Sequence, residues 1–392
     1  MPVAASRLGV LLALLLCGCG GSSTQVQDQT PNNATWSWRL PEFFPVPKVP
    51  EDNPMSAAKV ELGRHLFYDR RLSGNGTQSC GSCHQQDKAF TDGRATPRGS
   101  TGEQHPRNSQ SLINVVYSPT LTWANSSLVR LEKQMEVPLF GEHPVEMGIN
   151  DQNKADVLSR FANDAQYQRL FQAAYPNQTD AVSLQNIILA IASFQRSLVS
   201  ANSRYDQFLQ KKAVLSDAQT RGMNLFFGEK AECFHCHGSF NFNDQTIHAG
   251  SRIIETPFHN NGLYNLDGQG KYPEPNQGVF ELTGIPTDMG KFRAPSLRNV
   301  AVTAPYNHDG SVATLEEVVA NYAAGGRVIT EGALAGDGRT NPYKDDLIVR
   351  IDLTEAEQQD IVAFLKTLTD ETVLVDPRFA NPFVSNAGTG AQ

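Results

Sequence analysis

Two short stretches carry the residues whose types and spacing best suit chemistry, "SCGSCH" at 79–84 and "AECFHCH" at 231–237. Each contains the pattern C-x-x-C-H, given by Cys80, Cys83 and His84 in the first stretch and by Cys233, Cys236 and His237 in the second. In this pattern the two thiols form thioethers with the vinyl groups of a haem, and the histidine ligates its iron. The sequence therefore predicts two covalently bound c-type haems.

Other uses of these cysteines fit the pattern less well. A structural zinc site needs four ligands close together, but the two cysteine pairs are far apart in the sequence. A thioredoxin-like redox pair belongs near a βαβ pattern, which is missing here, and it would not explain the histidine after each pair. A disulfide within each pair would close too short a loop to stabilise the fold much.

The start of the chain has the layout of a secretory signal. Arg7 precedes an apolar run at 8–16, which is too short to span a bilayer as a helix, and small residues follow it. We therefore expect a signal peptide at 1–18, export to the periplasm, and a flexible polar tether at 19–39. The residues before Cys19 resemble a bacterial lipoprotein site, so a lipid anchor on Cys19 is expected, with an ordinary cleaved signal as the alternative.

The length and the charge of the chain limit the number of domains and the kinds of partner. The 392 residues suffice for two domains of ordinary size. The formal net charge of -8, without a basic run, argues against nucleic acid as a partner. A membrane contact is expected solely through the N-terminal lipid anchor.

The elements that must position the two motifs are mostly helical. Three capping boxes predict helix starts, each with a hydroxyl residue followed three positions later by Glu or Gln. They are Ser216 with Gln219, Thr314 with Glu317, and Thr354 with Glu357. Apolar residues at helical spacing predict another helix within 183–199. Residues 239–313 are dense in Gly, Pro and Asn, which favours long loops.

An internal repeat precedes the two haem motifs. "LGRHLFYD" at 62–69 and "RGMNLFFG" at 221–228 share the pattern G-x-x-L-F. The same arrangement of a helix followed by a haem-binding turn therefore occurs twice. We predict a mainly α fold with two tandem cytochrome c-type helical domains, at 40–210 and 211–375, joined by long loops and followed by a C-terminal tail at 376–392.

Two further stretches carry a resemblance to a known family. They are "FRAPSLRNVAVTAPYNHDGSVATLEEVV" at 292–319 and the segment at 105–148 that begins "HPRNSQSLINVVYSP". With the two haem motifs, they resemble the bacterial diheme cytochrome c peroxidase and MauG family over nearly the whole mature chain. The resemblance implies an enzyme that reacts with hydrogen peroxide.

The resemblance assigns roles around the first haem. Its iron is expected to be high-spin, with an open side that meets peroxide. Gln134 and Glu146 match the glutamine and glutamate of that side, where a carboxylate moves a proton between the peroxide oxygens. Glu142 competes with Glu146, because the chain carries extra residues here. Trp123 matches a tryptophan between the two haems, and a purely structural core tryptophan is the alternative.

The second haem is expected to be low-spin, and its sixth ligand distinguishes two branches of the family. Peroxidases carry a methionine at that position, whereas the MauG branch carries a tyrosine. In "TLEEVVANYAAGGR" the matching residue is Tyr322, and Met289 and His308 are rival ligands by their chemistry. A phenolate stabilises higher oxidation states of iron than a thioether does.

The family also implies a calcium ion and leaves several histidines without a role. Asn108, Thr303 and Pro305 match its calcium ligands, and hard oxygen donors suit this ion. His105 could approach the first haem, but it lies next to "PRN" rather than several residues earlier. The remaining histidines are expected on the surface or in loops, and they are His143, His235, His248 and His259.

Three functions follow from this pattern. The favoured one is MauG-like: peroxide delivers two oxidising equivalents to both haems, which then oxidise a partner protein. The chain most resembles diheme enzymes of methanobactin clusters, which implies a tryptophan of a copper-binding partner encoded nearby as the target. The alternatives are a peroxidase that draws electrons from a small redox protein and a non-catalytic electron-transfer cytochrome. Ala231 stands where methylamine dehydrogenase maturases have a surface tryptophan, so that partner is disfavoured.

Overall fold

A computed structural model describes residues 36–384. The predicted signal peptide, Cys19 and the tether as far as residue 35 lie outside the described residues, as does the end of the predicted tail at 385–392. Within the described part, no helix is both long enough and apolar enough to cross a membrane.

The described residues are mainly helical with few strands. The helices are α1 (Ala57–Tyr68), α2 (Cys80–Cys83), α3 (Leu131–Gln134), α4 (Glu136–Phe140), α5 (Lys154–Ala162), α6 (Ala165–Ala174), α7 (Leu184–Ser197), α8 (Arg204–Leu209), α9 (Asp217–Phe226), α10 (Phe234–His237), α11 (Phe280–Thr283), α12 (Leu315–Ala324) and α13 (Glu355–Lys366). Short 3-10 helices span Arg70–Leu72, Gln86–Lys88, Val115–Tyr117, Pro286–Asp288, Val300–Val302 and Gly338–Thr340. Strands β1 (Val328–Ile329) and β2 (Gly336–Asp337) pair antiparallel, with Val328 opposite Asp337.

The three predicted capping boxes are confirmed. Ser216, Thr314 and Thr354 cap α9, α12 and α13, and in each case the residue three positions later bonds back to the cap. Each box satisfies backbone N–H groups that the first helical turn leaves free. The helix predicted within 183–199 is α7, which Ser183 caps.

The repeated G-x-x-L-F pattern lies on two helices that pack in the same way. Helix α1 packs against α7, and α9 packs against α13. A Cβ atom at Gly63 would lie 2.0 Å from the carbonyl oxygen of Ala190, and one at Gly222 would lie 1.8 Å from that of Asp360. The repeat therefore encodes a close helix contact that glycine alone permits.

Separate clusters of buried apolar side chains stabilise the two helix pairs. One cluster joins α1, α6 and α7, and a second joins α9, α12 and α13. A third lies among the loops and includes Trp123, Tyr272 and Phe292. Burial of each large apolar side chain contributes about 1.5–3 kcal/mol relative to exposure.

A buried ion pair joins α8 to the loop before residue 300. The side chains of Arg298 and Asp206 are 1% and 0% exposed, and Nη1 lies 2.9 Å from Oδ2. Arg298 also donates to the carbonyl oxygen of Phe240 from Nε at 3.0 Å and from Nη2 at 2.6 Å. The pair thus fixes the chain that follows the second haem motif.

The long loops predicted at 239–313 are present. In that range the regular structure consists of α11 and two 3-10 helices. The chain after α13 returns to the first half of the sequence, where Tyr68 donates to the carbonyl oxygen of Phe379 at 2.8 Å. Gln86 donates likewise to the carbonyl oxygens of Val373 and Asp376.

Candidate active site

Each C-x-x-C-H motif forms a short helical turn that ends in an oriented histidine. His84 follows α2 and its Nδ1 lies 2.8 Å from the carbonyl oxygen of Phe90, while Nδ1 of His237 lies 2.9 Å from that of Phe242. Both phenylalanines adopt left-handed backbone angles, with φ of 62° and 54°. A carbonyl partner makes Nδ1 the protonated nitrogen and leaves the Nε2 lone pair free for a metal.

The protonation of the motif residues suits haem attachment rather than thiol redox chemistry. Burial lowers the pKa of His84 and of His237, which keeps both imidazoles neutral. Burial raises the pKa of Cys80 and Cys233 to about 12. Reactive redox thiols have lowered pKa values instead. The four cysteines of the described part are free, so neither pair forms a disulfide.

A cavity of about 500 Å³ lies against the first motif. Its volume is within the usual range for small-molecule and cofactor sites. Its lining includes the residues predicted around the first haem, the tryptophan predicted between the haems and the predicted calcium ligands. They are Cys80, Cys83, His84, Gln134 and Glu146, then Trp123, then Asn108, Thr303 and Pro305.

Glu146, rather than Glu142, faces this cavity. The charge of Glu146 acts on the pKa of both cysteines and of the histidine in the first motif. Glu142 is exposed and is not among the lining residues. Backbone contacts fix Glu146, because Ser100 N donates to its carbonyl oxygen at 2.8 Å.

His105 lies beside Glu146, a placement that the sequence did not predict. Its Nε2 is 3.4 Å from Oε1 of Glu146, and both residues line the cavity. The other nitrogen, Nδ1, accepts a hydrogen bond from Arg107 N at 3.2 Å. His105 therefore joins Glu146 in the candidate peroxide site.

The cavity also fits the charged edge of a haem. Nε2 of Gln110 and Nε of Arg293 are buried donors without a hydrogen-bond partner in the described part, and both residues line the cavity. Burial lowers the pKa of Arg293 to about 10, against an opposing effect of Asp244. A haem carries two propionate carboxylates, which could accept these N–H groups and offset their desolvation.

Trp123 lies between the cavity and the loop cluster of the second half. It lines the cavity and packs with Tyr272 and Phe292. Its Nε1 donates to the carbonyl oxygen of Asn108 at 2.9 Å, and its own carbonyl oxygen accepts from Arg293 N at 2.9 Å. The first bond fixes the indole ring and the second fixes the backbone of Trp123, between the cavity and the loop cluster.

Tyr322 lies beside the second motif. Burial raises the pKa of Tyr322 to about 12, the charges of Cys236 and Cys233 also raise it, and a hydrogen bond with Asn261 lowers it. Those influences place the phenol within electrostatic reach of both cysteines. A phenol must lose its proton to ligate a metal as a phenolate, and binding to ferric iron would favour this deprotonation.

The rival ligands have other surroundings. The ring of His308 stacks on that of Phe292, with their centroids 3.6 Å apart. Burial lowers the pKa of His308 to about 4; the charge of Arg107 also lowers it, whereas that of Asp309 raises it. Its Nε2 is buried without a hydrogen-bond partner in the described part. Met289 is buried in the loop cluster, and its carbonyl oxygen accepts from Asn260. The pKa of Tyr322 responds to the motif cysteines, whereas that of His308 responds to Asp309 and Arg107 instead.

The residues predicted to bind calcium, Asn108, Thr303 and Pro305, all line the cavity. Nδ2 of Asn108 donates to the carbonyl oxygens of Arg94 and Ala95 at 2.8 and 3.2 Å. This orientation of the amide leaves its oxygen for another partner, as a hard cation requires.

His259 lies in a loop, as expected, but its side chain is held between two carboxylates rather than left free on the surface. Its side chain is 19% exposed, with Nε2 2.5 Å from Asp244 and Nδ1 2.6 Å from Asp345. The ligand atoms of His259, Asp244 and Cys236 lie within 4.8 Å of one another. No pattern in the sequence predicts this cluster, because Cys236 lies in α10 whereas Asp244 and His259 lie in the loops that follow it.

Comparisons with known proteins show the family of this chain. A family model described as di-haem cytochrome c peroxidase matches residues 57–214. The cytochrome-c peroxidase IdrP1 of Denitromonas iodatirespirans is 36% identical over 88% of this chain and 91% of its own length. The chain belongs to the di-haem cytochrome c peroxidase and MauG family. It is a peroxide-dependent oxidoreductase, and the family implies two c-type haems.

Two further relatives are MauG-like. The methylamine utilization protein MauG of Methylophilus methylotrophus is 30% identical, with 86% of this chain and 91% of its own covered. A crystal structure of a MauG-like protein associated with microbial copper homeostasis is 58% identical with a TM-score of 0.88. That comparison covers 89% of this chain and all of the other. The family member described here therefore shares its fold with a MauG-like protein.

Proposed function

We propose that this enzyme is MauG-like and uses hydrogen peroxide to oxidise a tryptophan of a partner protein, with a copper-binding protein as the partner. The observation that carries the proposal is Tyr322 beside the second haem motif, where the peroxidases of the family have methionine. The 58% identity to a MauG-like protein associated with microbial copper homeostasis supports the class of partner.

The residues of the first cavity handle the protons of peroxide. When bound, the haems supply the iron that receives peroxide and the capacity to store its oxidising equivalents. Glu146 takes the proton of one peroxide oxygen and delivers it to the other, so that water leaves. Gln134, at the end of α3, lines the same cavity, where its amide would orient the peroxide. Two electrons from the partner and two protons complete the reduction of peroxide to two waters.

The junction between the two halves carries the electron relay. Trp123 is proposed to conduct between the haems, since its indole N–H donates to Asn108 and its backbone carbonyl accepts from Arg293, which together hold the residue at the cavity. Tyr322 is proposed as the ligand that stabilises the oxidised state at the second iron. The domains at 40–210 and 211–375 would each carry one haem.

Two parts of the proposal concern the calcium ion and the location. Asn108, with the carbonyl groups of Thr303 and Pro305, would bind calcium and thereby fix the carbonyl group to which Trp123 donates. Export to the periplasm with a lipid on Cys19 would place the enzyme where its haems are attached and where it meets exported partners.

A second function is favoured by one comparison. The 36% identity to a cytochrome-c peroxidase supports peroxide reduction with electrons from a small redox protein. Both functions use Gln134 and Glu146 in the first cavity. They differ in the donor, which is a tryptophan side chain in one case and a reduced cytochrome or copper protein in the other.

The test is to mix the purified enzyme with peroxide and the copper-binding protein encoded beside it. Peptide mass spectrometry should then find an oxidised tryptophan in the partner, in an amount that follows the peroxide added. A parallel reaction with a reduced small cytochrome measures the competing activity. Rapid oxidation of that cytochrome with an unmodified partner would favour the peroxidase instead.

A further inference from the structure

His105 has a defined tautomer. Its Nδ1 accepts the N–H of Arg107 at 3.2 Å, so in the neutral ring the proton resides on Nε2. That nitrogen lies 3.4 Å from Oε1 of Glu146. The ring therefore presents an N–H group toward the carboxylate that faces the first motif.

The segment that carries His105 is fastened to the segment that carries Glu146. Residues Arg98 and Gln104 form an antiparallel bridge, and His105 N donates to the carbonyl oxygen of Pro97 at 2.8 Å. A Cβ atom at Gly99 would lie 1.7 Å from the carbonyl oxygen of Val145, so the two backbones touch there. These contacts fix the distance between the imidazole and the carboxylate.

The acidic side chains near His105 already have other hydrogen-bond or ion-pair partners. Glu103 accepts a hydrogen bond from Val145 N at 2.9 Å, and Glu281 lies 2.6 Å from Arg107. Among residues 36–384, the basic side chain within salt-bridge distance of Glu146 is His105. The imidazole is thus paired with the carboxylate that faces the haem motif.

We propose that His105 is a positioning residue for Glu146, whose Nε2–H holds the carboxylate in the orientation that receives the peroxide proton. The inference rests on the proposed role of Glu146 in the peroxide step. The N···O distance of 3.4 Å exceeds an ordinary hydrogen bond, and such contacts in a ligand-free site shorten when substrate binds. The gain is in orientation rather than stability, because the two side chains are 28% and 34% exposed and such pairs contribute little to folding.

Three variants of the haem-loaded enzyme separate this role from others. His105→Ala removes the donor, and His105→Gln restores an amide N–H near the position of Nε2. The matched control is His248→Ala, because Nδ1 of His248 accepts from Gly250 N at 3.1 Å in the same local geometry but lies outside the cavity. Stopped-flow absorption gives the second-order rate constant for peroxide.

We expect His105→Ala to lower this rate constant about 10- to 100-fold, as loss of an outer-shell partner typically does. His105→Gln should recover most of it, and His248→Ala should match the wild type. A second readout is independent of turnover: the infrared carboxylate band assigned by Glu146→Gln should shift in His105→Ala and return in His105→Gln. A wild-type rate and an unshifted band in His105→Ala would overturn the inference.

A double-mutant cycle tests whether His105 acts through Glu146. If it does, His105→Ala costs nothing further in the Glu146→Gln background. The inference would be overturned if the decreases in the rate constant caused by the two substitutions multiplied. It would also be overturned if His105→Ala and His105→Gln lowered the rate constant equally and lowered the melting temperature, because that result would indicate a structural role. An unmodified partner tryptophan with a complete cycle would refute the proposed partner oxidation and still support the positioning role.

Discussion

The buried pair of Arg298 and Asp206 gives the sharpest stability prediction. Asp206→Asn keeps the shape of the side chain and removes its charge, which leaves a guanidinium that is 1% exposed without a counter-ion. Arg298 contacts both carboxylate oxygens at 2.9–3.1 Å, and the same carboxylate accepts from the backbone and hydroxyl of Ser203. Loss of one member of such a pair costs about 3–5 kcal/mol.

Urea unfolding of the haem-loaded protein, followed by far-ultraviolet circular dichroism, measures this cost as a lower midpoint at an unchanged slope. The matched control is Asp151→Asn, since Asp151 pairs with Lys154 at 2.7 Å on the surface, where the side chains are 88% and 50% exposed. That control should change stability by less than about 1 kcal/mol.

A double replacement separates the lost charge from the lost contact. Asp206→Leu with Arg298→Met removes both charges, and such replacements are often neutral or stabilising. We expect the double variant to be more stable than Asp206→Asn. A loss below about 1 kcal/mol in Asp206→Asn would refute the reasoning, because it would mean that Arg298 finds water or another partner when the carboxylate is neutral.

Three more predictions concern the candidate site. Glu146→Gln should slow the reaction with peroxide about 10²- to 10⁴-fold in stopped-flow measurements, whereas Glu142→Gln should leave it within about twofold, and equal losses would contradict the assignment. Tyr322→Phe should convert the low-spin ferric haem signal in electron paramagnetic resonance to high-spin, and Tyr322→Met should restore a low-spin haem at higher potential; an unchanged signal in Tyr322→Phe would point to His308. Burial lowers the pKa of His259, but the carboxylates of Asp244 and Asp345, which bond to its two ring nitrogens, raise it above its usual value. Its stabilising charge is therefore fully present below the unfolded value of about 6.5 and is lost at higher pH as the ring deprotonates, so the free energy of unfolding should fall with rising pH above about 6.5 more steeply than in His259→Gln.

Local patterns predicted the helical scaffold well. A capping box such as Thr354 with Glu357 lies within one helical turn, so its partners are neighbours in sequence and in space. The G-x-x-L-F repeat likewise marked two helices, although the sequence did not show which helix each glycine would touch. The partners of Gly63 and Gly222 lie more than a hundred residues away, and local spacing carries no information about them.

The sequence predicted those residues of the candidate site that belong to a recognisable motif. It did not predict the contacts that form between residues of separate loops. His84 and His237 follow from C-x-x-C-H, and Glu146 followed from the resemblance. The pairing of His105 with Glu146 depends on how two loops fasten together, and no periodic pattern encodes that contact. The same holds for His259, whose two carboxylate partners come from separate loops.

The two haem motifs share one local geometry but differ in what faces each of them, and this difference carries the functional argument. Both histidines are oriented by a phenylalanine carbonyl at 2.8–2.9 Å, so the side of each motif that orients its histidine is alike. The first motif borders a cavity with Glu146, whereas the second has Tyr322 within electrostatic reach. An open iron can receive peroxide, and a phenolate-bound iron can stabilise the charge that peroxide leaves behind. A pair of equally enclosed haems would transfer electrons but could not start this reaction, so the asymmetry between Glu146 and Tyr322 favours an enzyme over an electron carrier.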